Sequence, residues 1–134
     1  WDQVFNAGDS GLKKISMASA IFGGLFARAP DAPALFARVG SGDFGNDAFR
    51  AQMIRVMSGL DLCINSLQDP ALRESIVGHL SGQHAAREGV TAAAFGLMQS
   101  AIEEVLFQVI DQYDGDAWHN CLSIICDGLA SGLP

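Results

Sequence analysis

Residues 69–90 read DPALRESIVGHLSGQHAAREGV. Asp69 suits a helix N-cap, and Pro70 suits the first helical position, where its missing N–H is no loss and its fixed φ is already helical. Leu72, Ile76, Leu80 and His84 then recur at intervals of four, a spacing that keeps side chains on one helix face. Gly89 closes the segment. The expectation is a helix whose apolar stripe ends in a histidine.

Working outward, the same grammar repeats. Thr91 caps a long helix through Phe95, Met98, Ile102, Val105 and Val109, and Asp116 starts a last one through Trp118, Leu122, Ile125 and Leu129. Upstream, Asn46 or Asp47 caps a helix with the apolar face Phe49, Met53, Val56, Met57, Leu60 and Ile64, which breaks near Asn65. Asp9 or Ser10 caps another through Ile15, Ala18, Phe22, Leu25 and Phe26, and it stops before Pro30 because a residue ahead of proline avoids the α region. Pro30 and Pro33 confine the next piece to a turn or short helix, and the glycines between Val39 and Gly45 mark a loop. Alternation of period two never persists. The expected class is all-α, with roughly six helices and a corner forming one domain over residues 1–134.

Composition removes several function classes. Fifteen acidic and eight basic residues give a net charge of −7, which repels phosphate backbones, so nucleic acid is not an expected partner. Charges or glycines interrupt every apolar run before the length of about 18 residues that a spanning helix needs, so no membrane partner is expected. Cys63, Cys121 and Cys126 fit no CxxC spacing, which disfavours a structural zinc site. Their odd number leaves at least one thiol unpaired in the chain or paired outside it. The start at Trp1, without an initiator Met or charged n-region, reads as a mature or trimmed chain.

Of the three histidines, His79, His84 and His119, only His84 follows apolar residues at helical spacing. A nitrogen ligand in an apolar pocket is what a haem iron needs. A lone helical histidine is nevertheless more often an ordinary surface or core residue, so spacing alone does not decide the matter.

Four separated strings carry more weight: APDAPALFARV (29–39), AFRAQMIRVMSGLD (48–61), HLSGQHAAREGV (79–90) followed by Phe95, and DAWHNC (116–121). Together they resemble the globin chains of annelid extracellular haemoglobins over nearly the whole sequence. The resemblance implies a globin fold of roughly six to eight helices around a haem pocket. It implies His84 as the proximal ligand of a haem b (iron protoporphyrin IX), preceded by Leu80, with Val90 and Phe95 along the proximal edge. It puts Phe36 at the corner position whose ring packs on the haem, Gln52 at the distal position with Val56 one turn on, Phe22 in the distal pocket and Met98 on its floor. The implied function is reversible dioxygen transport in blood or coelomic fluid, by a secreted chain assembled with other globin chains into a large hetero-oligomer, some of it disulfide-linked.

Two departures qualify the likeness. Most of the family carries histidine where this chain has Gln52; an amide N–H still donates a hydrogen bond to dioxygen but does not titrate near neutral pH. The start at Trp1 aligns inside the first helix, and the resemblance implies a preceding segment with a cysteine bonded to Cys121. It also implies a free-thiol role for Cys63, as a sulfide-holding residue; Cys63 lies eleven residues after Gln52, about three helical turns, so it points to the same side. A small buried hydrophobe is the plain alternative for Cys63. Cys126 stands roughly 140° around the helix from Cys121, in different surroundings, either buried or linked to another chain. Two rival functions remain in view, a haem peroxidase-like enzyme, for which Gln52 is no acid–base catalyst, and a non-haem helical interaction module.

Overall fold

The computed structural model describes residues 1–6 and 11–134. A short helical turn, Asp2–Asn6, precedes five α-helices: α1 Gly11–Arg28, α2 Asp47–Asn65, α3 Pro70–Ala85, α4 Ala92–Val109 and α5 Gly115–Ala130. A 3₁₀ corner, Ala32–Val39, joins α1 to α2. The described residues contain seven helical pieces and no strand, which agrees with the all-α expectation. Among them, no helix is long and apolar enough to cross a membrane.

The caps explain where most helices begin. Asn46 accepts from the backbone N–H groups of Ala48 and Phe49, Asp69 from Leu72, and Thr91 from Ala94. The last helix corrects the expected start at Asp116. Asp114 caps it by accepting from Ala117 N–H at 3.0 Å, and Asp116 falls inside the first turn, where its charge favours the helix N-terminus. The proposed caps Asp9 and Ser10 lie outside the described residues. α3 ends at Ala85, and the chain turns to Gly89, whose φ of +86° is a left-handed value that glycine adopts without strain.

Burial follows the apolar stripes. α1 packs on α4 and α2, and α4 on α5, enclosing Ala18, Ile21, Phe22, Met53, Met57, Ala101, Leu106 and Leu122. Phe49, fully buried, stands among Phe22, Phe26, Phe36 and Phe44 with ring centroids 5.5–6.0 Å away. Three of those four contacts are edge-to-face, an arrangement favoured by the ring quadrupoles. This cluster fastens α1, the corner and the start of α2 to one another. α3 differs from the other helices: it rests on α5 and α2 yet buries none of its own residues.

Truncating Phe49 to alanine is expected to cost about 3–5 kcal/mol in urea unfolding, because four rings lose their shared neighbour and the space cannot easily collapse. Phe44→Ala, at 40% exposure on the rim of the cluster, should cost distinctly less. Similar losses for the two variants would contradict the central place of Phe49.

Candidate functional site

α3 buries nothing because its inner face borders a cleft of about 320 Å³, walled by α1, the 3₁₀ corner, α2, α3, α4 and α5. A concave, mostly apolar space of this size is what a bound organic group requires. The nine residues proposed from sequence, Phe22, Phe36, Gln52, Val56, Leu80, His84, Val90, Phe95 and Met98, all line this one cleft. They come from every wall but α5, whose lining residues are Ile125, Cys126 and Leu129. The helical period places them there: Gln52 and Val56 are one turn apart on α2, and Leu80 and His84 one turn apart on α3.

The chemistry of the cleft centres on the imidazole. His84 Nδ1 stands 2.7 Å from the Leu80 carbonyl oxygen. A carbonyl only accepts, so Nδ1 carries a proton and donates it; in the neutral ring the lone pair then belongs to Nε2, at the ring edge away from Nδ1. Phe95 meets the same ring edge-to-face at 5.0 Å and holds its plane. The other histidines are placed differently: His79 is exposed and bonded to Gln83, and His119 is exposed and pairs with Glu103 at 2.8 Å.

Gln52 is half-buried, and its amide makes no hydrogen bond among the described residues, although it faces the cleft. The periodicity reading missed the charged members of the lining. Arg38 from the corner, Arg55 from α2 and Arg87 just past α3 are exposed at the cleft, and among the described residues none of their guanidinium groups has an ion-pair or hydrogen-bond partner. Three of only eight basic residues thus converge on one opening in an acidic chain. A search weighted to apolar spacing passes over them, although the scarcity of basic residues was a usable signal. Leu35, Val39, Leu60, Ile102 and Leu129 also line the cleft; in sequence they cannot be told from ordinary core.

The thiols are neutral neighbours. Cys63 is fully buried and Cys126 is 5% exposed, and both border the cleft. Burial pushes the Cys63 thiol up, and burial together with nearby Asp127 and Cys63 pushes Cys126 up to about 12. Cys121 is half-buried and also raised by burial. No disulfide forms among the three.

With this geometry in hand, comparison with known proteins is decisive. The globin family model matches residues 19–129. The chain belongs to the globin family. It is 35% identical over its whole length to extracellular globin-4 of Lumbricus terrestris, covering 88% of that protein. Extracellular globin-3 of the same species is 35% identical over 99% of the chain and 78% of that relative, and the extracellular monomeric globin of Tubifex tubifex is 31% identical over 93% of the chain and 86% of that relative. Membership places this globin among dioxygen-binding haem proteins and not among enzymes. Its donor set fits that cofactor: an imidazole whose Nδ1 is committed to a backbone carbonyl, which leaves Nε2 as the nitrogen that could bind a metal, an apolar surround, and guanidinium groups at the opening that have no partner among the described residues.

The thiols give a measurable consequence. Alkylation of the native globin at about pH 8 should leave Cys63 and Cys126 unlabelled, since only exposed thiolate reacts; in guanidinium all three cysteines should react, as counted by intact mass. The unfolded Cys126 thiol releases its proton from about its ordinary 9.0, whereas the folded one holds it to about 12. The unfolded state therefore binds fewer protons across that window, and stability should fall as pH rises through it, by up to about 1.4 kcal/mol per unit. Cys126→Ala should lessen that slope.

Proposed function

We propose that this globin binds dioxygen reversibly at a haem b held by His84, as a secreted subunit of an oligomeric respiratory pigment. One observation carries the reading: His84 Nδ1 is committed to the Leu80 carbonyl, so Nε2 offers a lone pair toward an apolar cleft. When bound, haem supplies a ferrous iron able to take up and release dioxygen. His84 Nε2 would hold the iron. Phe36, Leu80, Val90, Phe95 and Met98 would enclose the group, and with Phe22 and Val56 they would exclude the water that promotes oxidation.

Gln52 would donate its amide N–H to dioxygen held in the cleft. The amide does not ionise near neutral pH, so it would stabilise the bound ligand without acting as an acid, which favours carriage over peroxide chemistry. Arg38, Arg55 and Arg87 would be the partners for the two carboxylates of the cofactor, by charge-assisted hydrogen bonds. The burial of Cys63 and its raised thiol support a packing role for that residue over sulfide binding.

The relatives bear the word extracellular in their names, which supports secretion of this chain into blood or coelomic fluid. In that oxidising setting Cys121 is the thiol best placed for a disulfide, being half-buried where Cys63 and Cys126 are buried. Its partner is a cysteine outside residues 1–134, on this polypeptide or on another globin chain of a hetero-oligomer.

Replacing His84 with glycine should abolish haem retention, and added imidazole should restore a five-coordinate ferrous spectrum. A variant that keeps that spectrum without imidazole would remove His84 from the role. Gln52→Leu should lose one hydrogen bond of about 0.5–1.5 kcal/mol and release dioxygen up to roughly tenfold faster in stopped flow. Peptide mapping of the native protein without reduction should recover Cys121 in a disulfide, and alkylation of Cys121 without reductant would refute the pairing.

A further inference from the structure

α3 carries His84 yet buries none of its residues, so its position is set by what it rests on. Against α2 there is slack: a Cβ built on Gly59 would lie 3.9 Å from Leu80 Cδ1, an ordinary contact. Against α5 there is none. A Cβ on Gly128 would stand 2.6 Å from Val77 Cγ1, well inside the separation at which two carbons pack. Val77 cannot swing clear, because valine in a helix is held in one dominant χ1 rotamer. One turn after Val77, Ser81 Oγ donates to the Ser131 carbonyl at 2.9 Å, just past the end of α5. His84 follows three residues later. α5 also lends Ile125, Cys126 and Leu129 to the cleft, so the seat of α3 and the wall of the site are one helix.

We propose that Gly128 and Ser81 are positioning residues that set how far His84 stands into the cleft, an inference that rests on the ligand role of His84 given above. The missing side chain at Gly128 lets α3 approach α5 closely, and the Ser81 hydrogen bond fixes the helix along its axis next to the imidazole. A methyl group at 128 forces α3 off α5 by roughly an ångström, and Nε2 moves with it.

The test uses the haem-loaded full chain. Resonance Raman of the ferrous protein reads the iron–histidine stretching band, and transfer of haem to a scavenging acceptor reads its release. Gly128→Ala should shift the band and speed release about tenfold. Gly128→Ala combined with Val77→Ala should return both readouts toward wild type, because removing Cγ1 leaves the added methyl facing the position of Val77 Cβ, 3.8 Å away. Ser81→Ala should shift the band in a chain whose apoprotein melts like wild type. That rescue separates positioning from general destabilisation, and if Gly128→Ala does not fold, the double variant and Ser81→Ala decide. An unmoved band in folded Gly128→Ala, a double variant that stays shifted, or an unmoved band in Ser81→Ala would overturn the proposal. Absence of any iron–histidine band in the wild type would instead overturn the ligand role of His84, and this inference with it.

Discussion

Apolar helix faces collapse onto one another unless something stiffer keeps them apart, and this globin must hold several such faces around a cleft. The ring cluster about Phe49 supplies the stiffness. Each ring moves only by displacing its neighbours, and the cluster ties α1, the corner and α2 at one side of the cleft. Phe22 and Phe36 belong to both the cluster and the lining. The same contacts that stabilise the core therefore shape one side of the cleft. Removing them would act on fold and function together.

Electrostatics divides the cleft into an apolar interior and a charged mouth. Inside, His84 presents a ring nitrogen and Gln52 an amide, and the two thiols stay protonated because burial disfavours their anions. At the mouth, Arg38, Arg55 and Arg87 have no acidic partner among the described residues, in a chain where acids outnumber bases almost two to one. Chance pairing would neutralise some of them. Their isolation suits an anionic edge of a bound group, and the apolar interior suits its flat remainder.

Much of this was legible from residue order, for reasons that differ by element. Asn46, Asp69 and Thr91 announced their helices because a side-chain acceptor before an apolar stripe has few other uses. The start of α5 was misread because Asp114 and Asp116 are both plausible caps and Gly115 between them disguises the first turn. His84 and Gln52 emerged from resemblance, since spacing alone leaves a helical histidine undecided. The boundary between core and cleft was not legible. Ile102 packs in the core and also borders the cleft, and an apolar stripe carries no mark of which neighbour it faces. Nor was the close seat of α3, which depends on Gly128 meeting Val77, two positions far apart in the chain.

The two sides of the cleft are consequently built to different stiffness. The distal side is part of a ring-packed core, so Gln52 stands on a helix with buried anchors on either side of it, Phe49, Met53 and Met57. The proximal helix has no buried residue and leans on α5 through a close approach and a hydrogen bond. An element with few buried contacts is the one that yields first to a load. A cofactor held by His84 would add contacts to that helix through His84 and Leu80, and to α4 through Phe95, and so would complete a wall that the polypeptide leaves thin. Cofactor retention and the placement of α3 would then be one equilibrium: whatever displaced the helix would loosen the ligand, and the ligand in turn would hold the helix in place.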